Sequence, residues 1–282
     1  MHRSRIDIAG LSLTATLAGS PEKPALVLLH GWPHSSRVYD AVADELGQHH
    51  FVIAFDLPEI GDSRGAPSSG EKTVLADLIL GAAERAGARK PVITGFDVGG
   101  MIAYAAARDH GQRVAGAVVT NTVVPGIAPW TEVLANPHIW HFAFHAIPEL
   151  PEKLVSGHQR EYFDYFINML VGNKRAVTQE LRDEFASAYE RPEALKAGFD
   201  WYRALEADAK HNAQPVQIGT PLLYLRGDAD GRTPEPYVAG LKKAGAQHVS
   251  SAVLRSCGEI APVEASEDFV RIVGRFAADC RR

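Results

Sequence analysis

Six continuous apolar runs separated by stretches of helical period leave this chain few folds to adopt. They are ALVLLH (25–30), FVIAFD (51–56), PVITGF (91–96), VAGAVVTN (114–121), PLLYLRG (221–227) and VSSAVLRS (249–256). A strand that is apolar along its whole length has both faces covered, so this alternation predicts an α/β fold, a mostly parallel twisted sheet with helices on both sides. Ahead of the first run, alternating segments at 5–8 and 11–17 predict a hairpin around Gly10. Between the fourth and fifth runs the rhythm stops. Residues 126–213 are rich in aromatics and charges and helical in period, and they read as a helical cap inserted after the fourth parallel strand into a core of residues 1–125 and 214–282. Ligands of open α/β sheets bind at the carboxyl ends of the strands, which a cap at that point would roof.

Composition bounds the partners. With 282 residues, 46% of them hydrophobic, the chain can bury a large core. Its net charge of -5 and lack of any basic run speak against nucleic acid or an anionic membrane as partner. No segment has the length of a membrane span, and the N-terminal MHRSRIDIAGLSLTATLAG lacks the apolar core of a signal peptide. The expectation is a cytoplasmic protein acting on a small molecule, as a monomer or homodimer, without cofactor or metal. Cys257 and Cys280 form no disulfide framework and are expected to be reduced thiols.

Candidate chemistry clusters after the strands. His30-Gly31-Trp32-Pro33 follows the first parallel strand, where a glycine exit lets a backbone N–H just beyond it point at a developing oxyanion. Asp56-Leu57-Pro58-Glu59-Ile60-Gly61-Asp62-Ser63 reads as a structural loop held by acidic side chains that accept backbone N–H bonds. Gly95-Phe96-Asp97-Val98-Gly99-Gly100 has the G-x-S-x-G spacing of a nucleophile elbow, with Asp97 in the serine position. An acidic helix N-cap would also explain Asp97, but the flanking glycines favour the elbow. A carboxylate there can attack an electrophilic carbon or take a proton.

With the elbow, the HGWP turn, the DLPxxGDS-like loop and the cap in that order, the whole chain resembles the α/β-hydrolase superfamily. More narrowly it resembles the branch of epoxide hydrolases and haloacid or haloalkane dehalogenases, whose nucleophile is Asp. The resemblance implies an oxyanion hole from the backbone of Trp32 and Val98. It also matches His141, in WHFAFH (140–145), and Tyr202, in GFDWYR (198–203), to cap residues that donate hydrogen bonds to an epoxide oxygen or leaving halide. His30, Pro33, Asn121, Phe142, His145 and Trp201 are expected to line the substrate pocket, although an aromatic run at helical spacing also suits plain core packing. His138 and His158 read as packing or surface residues.

The pattern breaks where water would be activated. The histidine of this branch lies in a C-G-H motif after the last strand, and here Ser256-Cys257-Gly258-Glu259 puts Glu259 in its place. The acid that orients the histidine aligns with Asn121, which cannot carry negative charge. The alternative acid position of the superfamily, a G-x-x-D after the next strand, is kept as Asp230. Glutamate is the weaker base at neutral pH, with a reference pKa of about 4.3 against about 6.5. Two carboxyls in one pocket would hold one proton between them. The expected function is an epoxide hydrolase-like enzyme with a degenerate triad and a non-hydrolytic reaction. That reaction would be isomerisation, elimination, cyclisation or carbon–carbon bond formation on a polycyclic or epoxide-bearing molecule, of the kind found in secondary metabolism. The alternatives are true epoxide hydrolysis with Glu259 as water base, and a ligand-binding protein that has lost turnover.

Overall fold

A computed structural model describes residues 1–281. Eight strands form one sheet: β1 (His2–Ile8), β2 (Leu11–Ala18), β3 (Ala25–Leu29), β4 (Phe51–Phe55), β5 (Val92–Phe96), β6 (Gly116–Thr120), β7 (Leu222–Gly227) and β8 (Val249–Leu254). The spatial order is β1-β2-β4-β3-β5-β6-β7-β8. The pairs β1/β2 and β2/β4 are antiparallel, and every other pair is parallel. The sequence thus predicted both the hairpin and the parallel sheet.

Every residue of β3, β4, β5 and β6 is buried, as strands covered on both faces require. The last run behaves differently. β8 is the outermost strand, and it exposes Ser250, Ser251 and Val253. Helices α1 (Asp40–Gly47), α2 (Lys72–Arg85) and α3 (Val98–Asp109) follow β3, β4 and β5 in turn. Between β6 and β7 lie seven helices: α4 (Trp130–Leu134), α5 (Trp140–Ala146), α6 (Leu150–Val155), α7 (Gln159–Leu170), α8 (Gln179–Ala188), α9 (Pro192–Arg203) and α10 (Leu205–Asn212). Then come α11 (Glu235–Lys243) before β8, and α12 (Ala261–Glu264) and α13 (Ser266–Asp279) after it.

α9 shows why the insert forms helices. Pro192 at its start fits the fixed φ of a first turn, and Ala194, Leu195, Gly198, Phe199, Trp201 and Tyr202 fall on one buried face. At its far end Arg203 forks onto Glu152 at 2.7 and 2.9 Å, fixing α9 to α6. Register does the rest of the positioning. Leu29 pairs with Gly95, Phe96 with Thr120, and Thr120 with Leu225, so the chain leaves β3, β5, β6 and β7 side by side at one sheet edge. Gly31, Asp97, Asn121 and Gly227 are therefore spatial neighbours despite their separation in sequence.

Candidate active site

Asp97 is the single residue between β5 and α3, with φ 50° and ψ -127°. That conformation is strained for a residue with a Cβ, and close packing holds it. A Cβ on Gly95 would come within 2.3 Å of the Gly99 backbone, and one on Gly99 within 2.3 Å of the Leu29 carbonyl. Strand and helix meet with no room for side chains at the turn, which turns the Asp97 carboxylate outward from the sheet edge. Gly31 is needed for the same reason, since a Cβ there would stand 2.4 Å from that of Asp97. The backbone N–H of Trp32 donates to Asp97 Oδ1 over 2.9 Å, and the N–H of Val98 also bonds this carboxylate.

Asp97 lies deep in the molecule but is not wholly enclosed. Burial pushes its pKa up to about 6 against the two N–H donors and the charge of Lys72. Glu259 is equally deep and pushed further. Burial, then the negative charge of Asp97, raise it well above the usual carboxylate range, opposed by Arg226. Of the two carboxyls, Glu259 is thus the one pushed further toward the protonated form. The charges of both carboxyls also act on the phenol of Tyr202, which burial already keeps neutral and so able to donate a hydrogen bond. The three groups are thus near enough for their charges to act on one another.

The loop that carries Glu259 is fixed from three sides. Asn121, at φ 51°, donates through Nδ2 to the carbonyls of Gly258 at 2.6 Å and Glu259 at 3.1 Å, and its Oδ1 accepts from Gly227 N at 2.8 Å. The N–H of Glu259 donates to the carbonyl of Leu170 at the end of α7. Glu264 accepts four backbone N–H bonds, from Gly172, Asn173, Gly258 and Ile260, at 2.7 to 2.8 Å. One buried carboxylate thus joins the insert to the loop of Glu259. Sequence reading missed Glu264, because a glutamate four residues after a loop carries no mark of what it will accept.

Trp32 leads from Asp97 into the insert. Its indole packs with His141, His145, Tyr162, Phe163, Phe166, Phe199 and Tyr202, at ring separations of 4.5 to 6.4 Å. His141 and Tyr202 lie 5.8 Å apart in this cluster, and Phe142 is 5.2 Å from Tyr202. Burial holds His141 at about 3 and His145 at about 2, so both rings are neutral. His145 is fully buried, and its Nε2 meets the hydroxyl of Tyr162 at 2.8 Å. His141 Nδ1 is buried without a protein partner, a polar atom left facing the cluster. His138 and His158 are exposed.

The remaining expected site residues divide by what they touch. His30 has both ring nitrogens engaged: Nδ1 donates to the Gly31 carbonyl at 2.8 Å and Nε2 accepts from Leu57 N at 3.0 Å. It joins two loops and leaves no nitrogen for a ligand. Asn121 is likewise occupied by backbone, so both side chains position loops where sequence suggested substrate contact. Pro33 is buried beside Trp32, and Trp201 packs 6.3 Å from the His30 ring. Asp230 pairs with Arg226 and, at 3.8 Å, with Arg232. With Arg226, Asn121, Met169 and Leu170 it lines a cavity of about 330 Å³ that reaches Glu259. Asp56 and Glu59 hold their loop as expected, accepting from Ser36 N and Gly65 N at 2.9 and 2.8 Å. Both cysteines are free.

Comparison with known proteins fits this geometry. Residues 24–264 match the model of a family described as alpha/beta hydrolase fold. The chain is 25% identical over 267 residues to a soluble epoxide hydrolase of Corynebacterium sp. (strain C12), covering 91% of each protein. It is 28% identical over 266 residues to a pimeloyl-[acyl-carrier protein] methyl ester esterase of Nitrosospira multiformis, covering 91% of this chain and 95% of the other. The crystal structure of wild-type Cfl2 from Burkholderia cenocepacia superimposes with a TM-score of 0.87 at 26% identity, over 97% of this chain and 95% of that one.

Proposed function

The chain belongs to the alpha/beta hydrolase fold family, and on that premise we propose that it is an epoxide hydrolase-like enzyme whose paired carboxyls, Asp97 and Glu259, carry out a non-hydrolytic reaction on a small apolar epoxide-bearing molecule. Asp97 acts as base or transient nucleophile at the carbon beside the oxygen. Tyr202, with His141 as its neighbour, donates to the epoxide oxygen, and the Trp32 and Val98 N–H groups hold the Asp97 carboxylate. Glu259 stands where a water-activating histidine would be needed.

What carries this reading is the burial of Glu259 close to the charge of Asp97, which together raise its pKa and favour its protonated form. A carboxylic acid donates a proton and cannot take one from water. If Asp97 removes a proton from the substrate while the C–O bond breaks, Glu259 can supply the proton the freed oxygen needs. Transfer from Asp97 to Glu259 then restores the pair, and no water is consumed. The test is turnover of aryl epoxides in ¹⁸O-water. Products without solvent oxygen are expected, and incorporation at the rate of turnover would refute the reading.

Hydrolysis with Glu259 as water base is the second reading. The soluble epoxide hydrolase among the relatives and the cavity beside Asp230, which has room for water at Glu259, favour it. It requires that Glu259→Gln accumulate an ester on Asp97, visible by intact mass. With Asp97 acting as base, the non-hydrolytic reading expects no such adduct.

A further inference from the structure

Lys72 is an unusual place for a cation. It opens α2, where the helix dipole disfavours positive charge, and it is 3% exposed, where water cannot stabilise it. Both penalties are met by groups from the insert. Its ammonium reaches Asp208 of α10 at 2.8 Å and donates to the carbonyl of Trp201, in the last turn of α9, at 2.5 Å. Asp208, also 3% exposed, accepts the backbone N–H of Lys72 at 2.9 Å and so supplies the anion that the start of α2 favours. The contact leaves little slack, because a Cβ on Gly70 would stand 2.4 Å from the carbonyl of Asp200. Trp201 and Tyr202 are adjacent. The ammonium therefore grips the turn of α9 that carries the phenol.

We propose that Lys72 is a positioning residue for the chemistry at Asp97: through Trp201 and Asp208 it fixes the end of α9 that presents Tyr202, and it sets its own positive charge toward the Asp97 carboxylate. A buried pair is a poor source of stability compared with apolar side chains of the same volume, so stability alone does not account for it. The charged groups around it favour an electrostatic task. Burial lowers Lys72, while the charges of Asp208, Asp97 and Glu71 raise it, in that order, and Lys72 is the cation that lowers Asp97, after the N–H groups of Trp32 and Val98. The other ionisable groups facing Asp97 are Glu259, Tyr189 and Tyr202, all of them neutral when protonated. Lys72 thus favours the ionised form of Asp97.

The inference rests on the role given to Asp97, but its test does not need turnover. Asp97 is titrated by NMR of ¹³C-carboxyl aspartate, with Asp97→Asn identifying the signal, in the parent protein, Lys72→Met and Lys72→Met/Asp208→Leu. The double variant removes both charges together and so guards against a single variant that fails to fold. The expected result is an Asp97 midpoint near 6 in the parent, about one pH unit higher in Lys72→Met, and raised by less in the double variant, where loss of the Asp208 charge offsets part of the loss of the cation. An unchanged midpoint would reduce Lys72 to a strut and overturn the proposal. A raised midpoint in a protein that never forms an ester on Asp97 and never turns over an epoxide would instead keep the proposal and refute the catalytic reading.

Discussion

Trp32 donates its backbone N–H to Asp97 Oδ1 over 2.9 Å and buries its indole among rings of α5, α7 and α9. One residue of the core thereby holds the Asp97 carboxylate with its main chain and packs against the helices between β6 and β7 with its side chain. Trp32→Ala separates the two tasks, because alanine keeps the N–H. It is expected to cost about 3–5 kcal/mol, read as a fall in calorimetric Tm of roughly 6–20 °C.

Asp97 gives the fold a definite pH dependence. Its native pKa is raised from 3.8 to about 6, so between these values the native state binds the proton more tightly than the unfolded chain. The contribution of this group is fully present below about pH 4 and is lost as pH rises through about 6. Asp97→Asn, neutral throughout, is expected to exceed the parent in stability by about 1–3 kcal/mol at pH 8 and to match it near pH 4. Urea unfolding at the two pH values checks this.

Building a histidine-dependent triad into this site requires care at Asn121. An aspartate there would lose the amide donors to Gly258 and Glu259 and set a carboxylate against two carbonyls. Asn121→Asp is expected to cost about 1–3 kcal/mol, measured by urea unfolding. Glu259→His alone, in a loop still clamped by Glu264, is therefore the cleaner variant in which to seek gain of epoxide hydrolysis, and hydrolysis appearing only with Asn121→Asp present would contradict this expectation.

Tyr202→Phe keeps the ring in the cluster and removes the hydroxyl on which the charges of both carboxyls act. Turnover of an aryl epoxide is expected to fall about 10²- to 10³-fold in kcat with little change in KM, as for loss of one donor to a developing oxyanion. A change confined to KM would show that the hydroxyl serves binding alone.

The sheet was legible because full burial of β3, β4, β5 and β6 leaves an unbroken apolar run in each. β8 was legible as a strand, but its exposed residues Ser250, Ser251 and Val253 mark it as the edge. Asp97 was legible because glycines crowd a turn where strand and helix touch. Lys72, Asp208 and Glu264 were not, since each acts on backbone or charge that only folding brings near: Lys72 and Asp208 are partners across two helices, and Glu264 binds N–H groups of residues 172 and 173. Asn121 and His30 misled for the same reason. Their residue types suit substrate contact, whereas register places both where loop carbonyls and amides claim their polar atoms.

The account stands on the proton at Glu259. Titration of ¹³C-carboxyl glutamate, with Glu259→Gln identifying the signal, measures it without any substrate. Glu259 is expected to stay protonated through pH 7 while Asp97 titrates near 6. A Glu259 already ionised at pH 7 would contradict the account, since it would put a free carboxylate base beside Asp97.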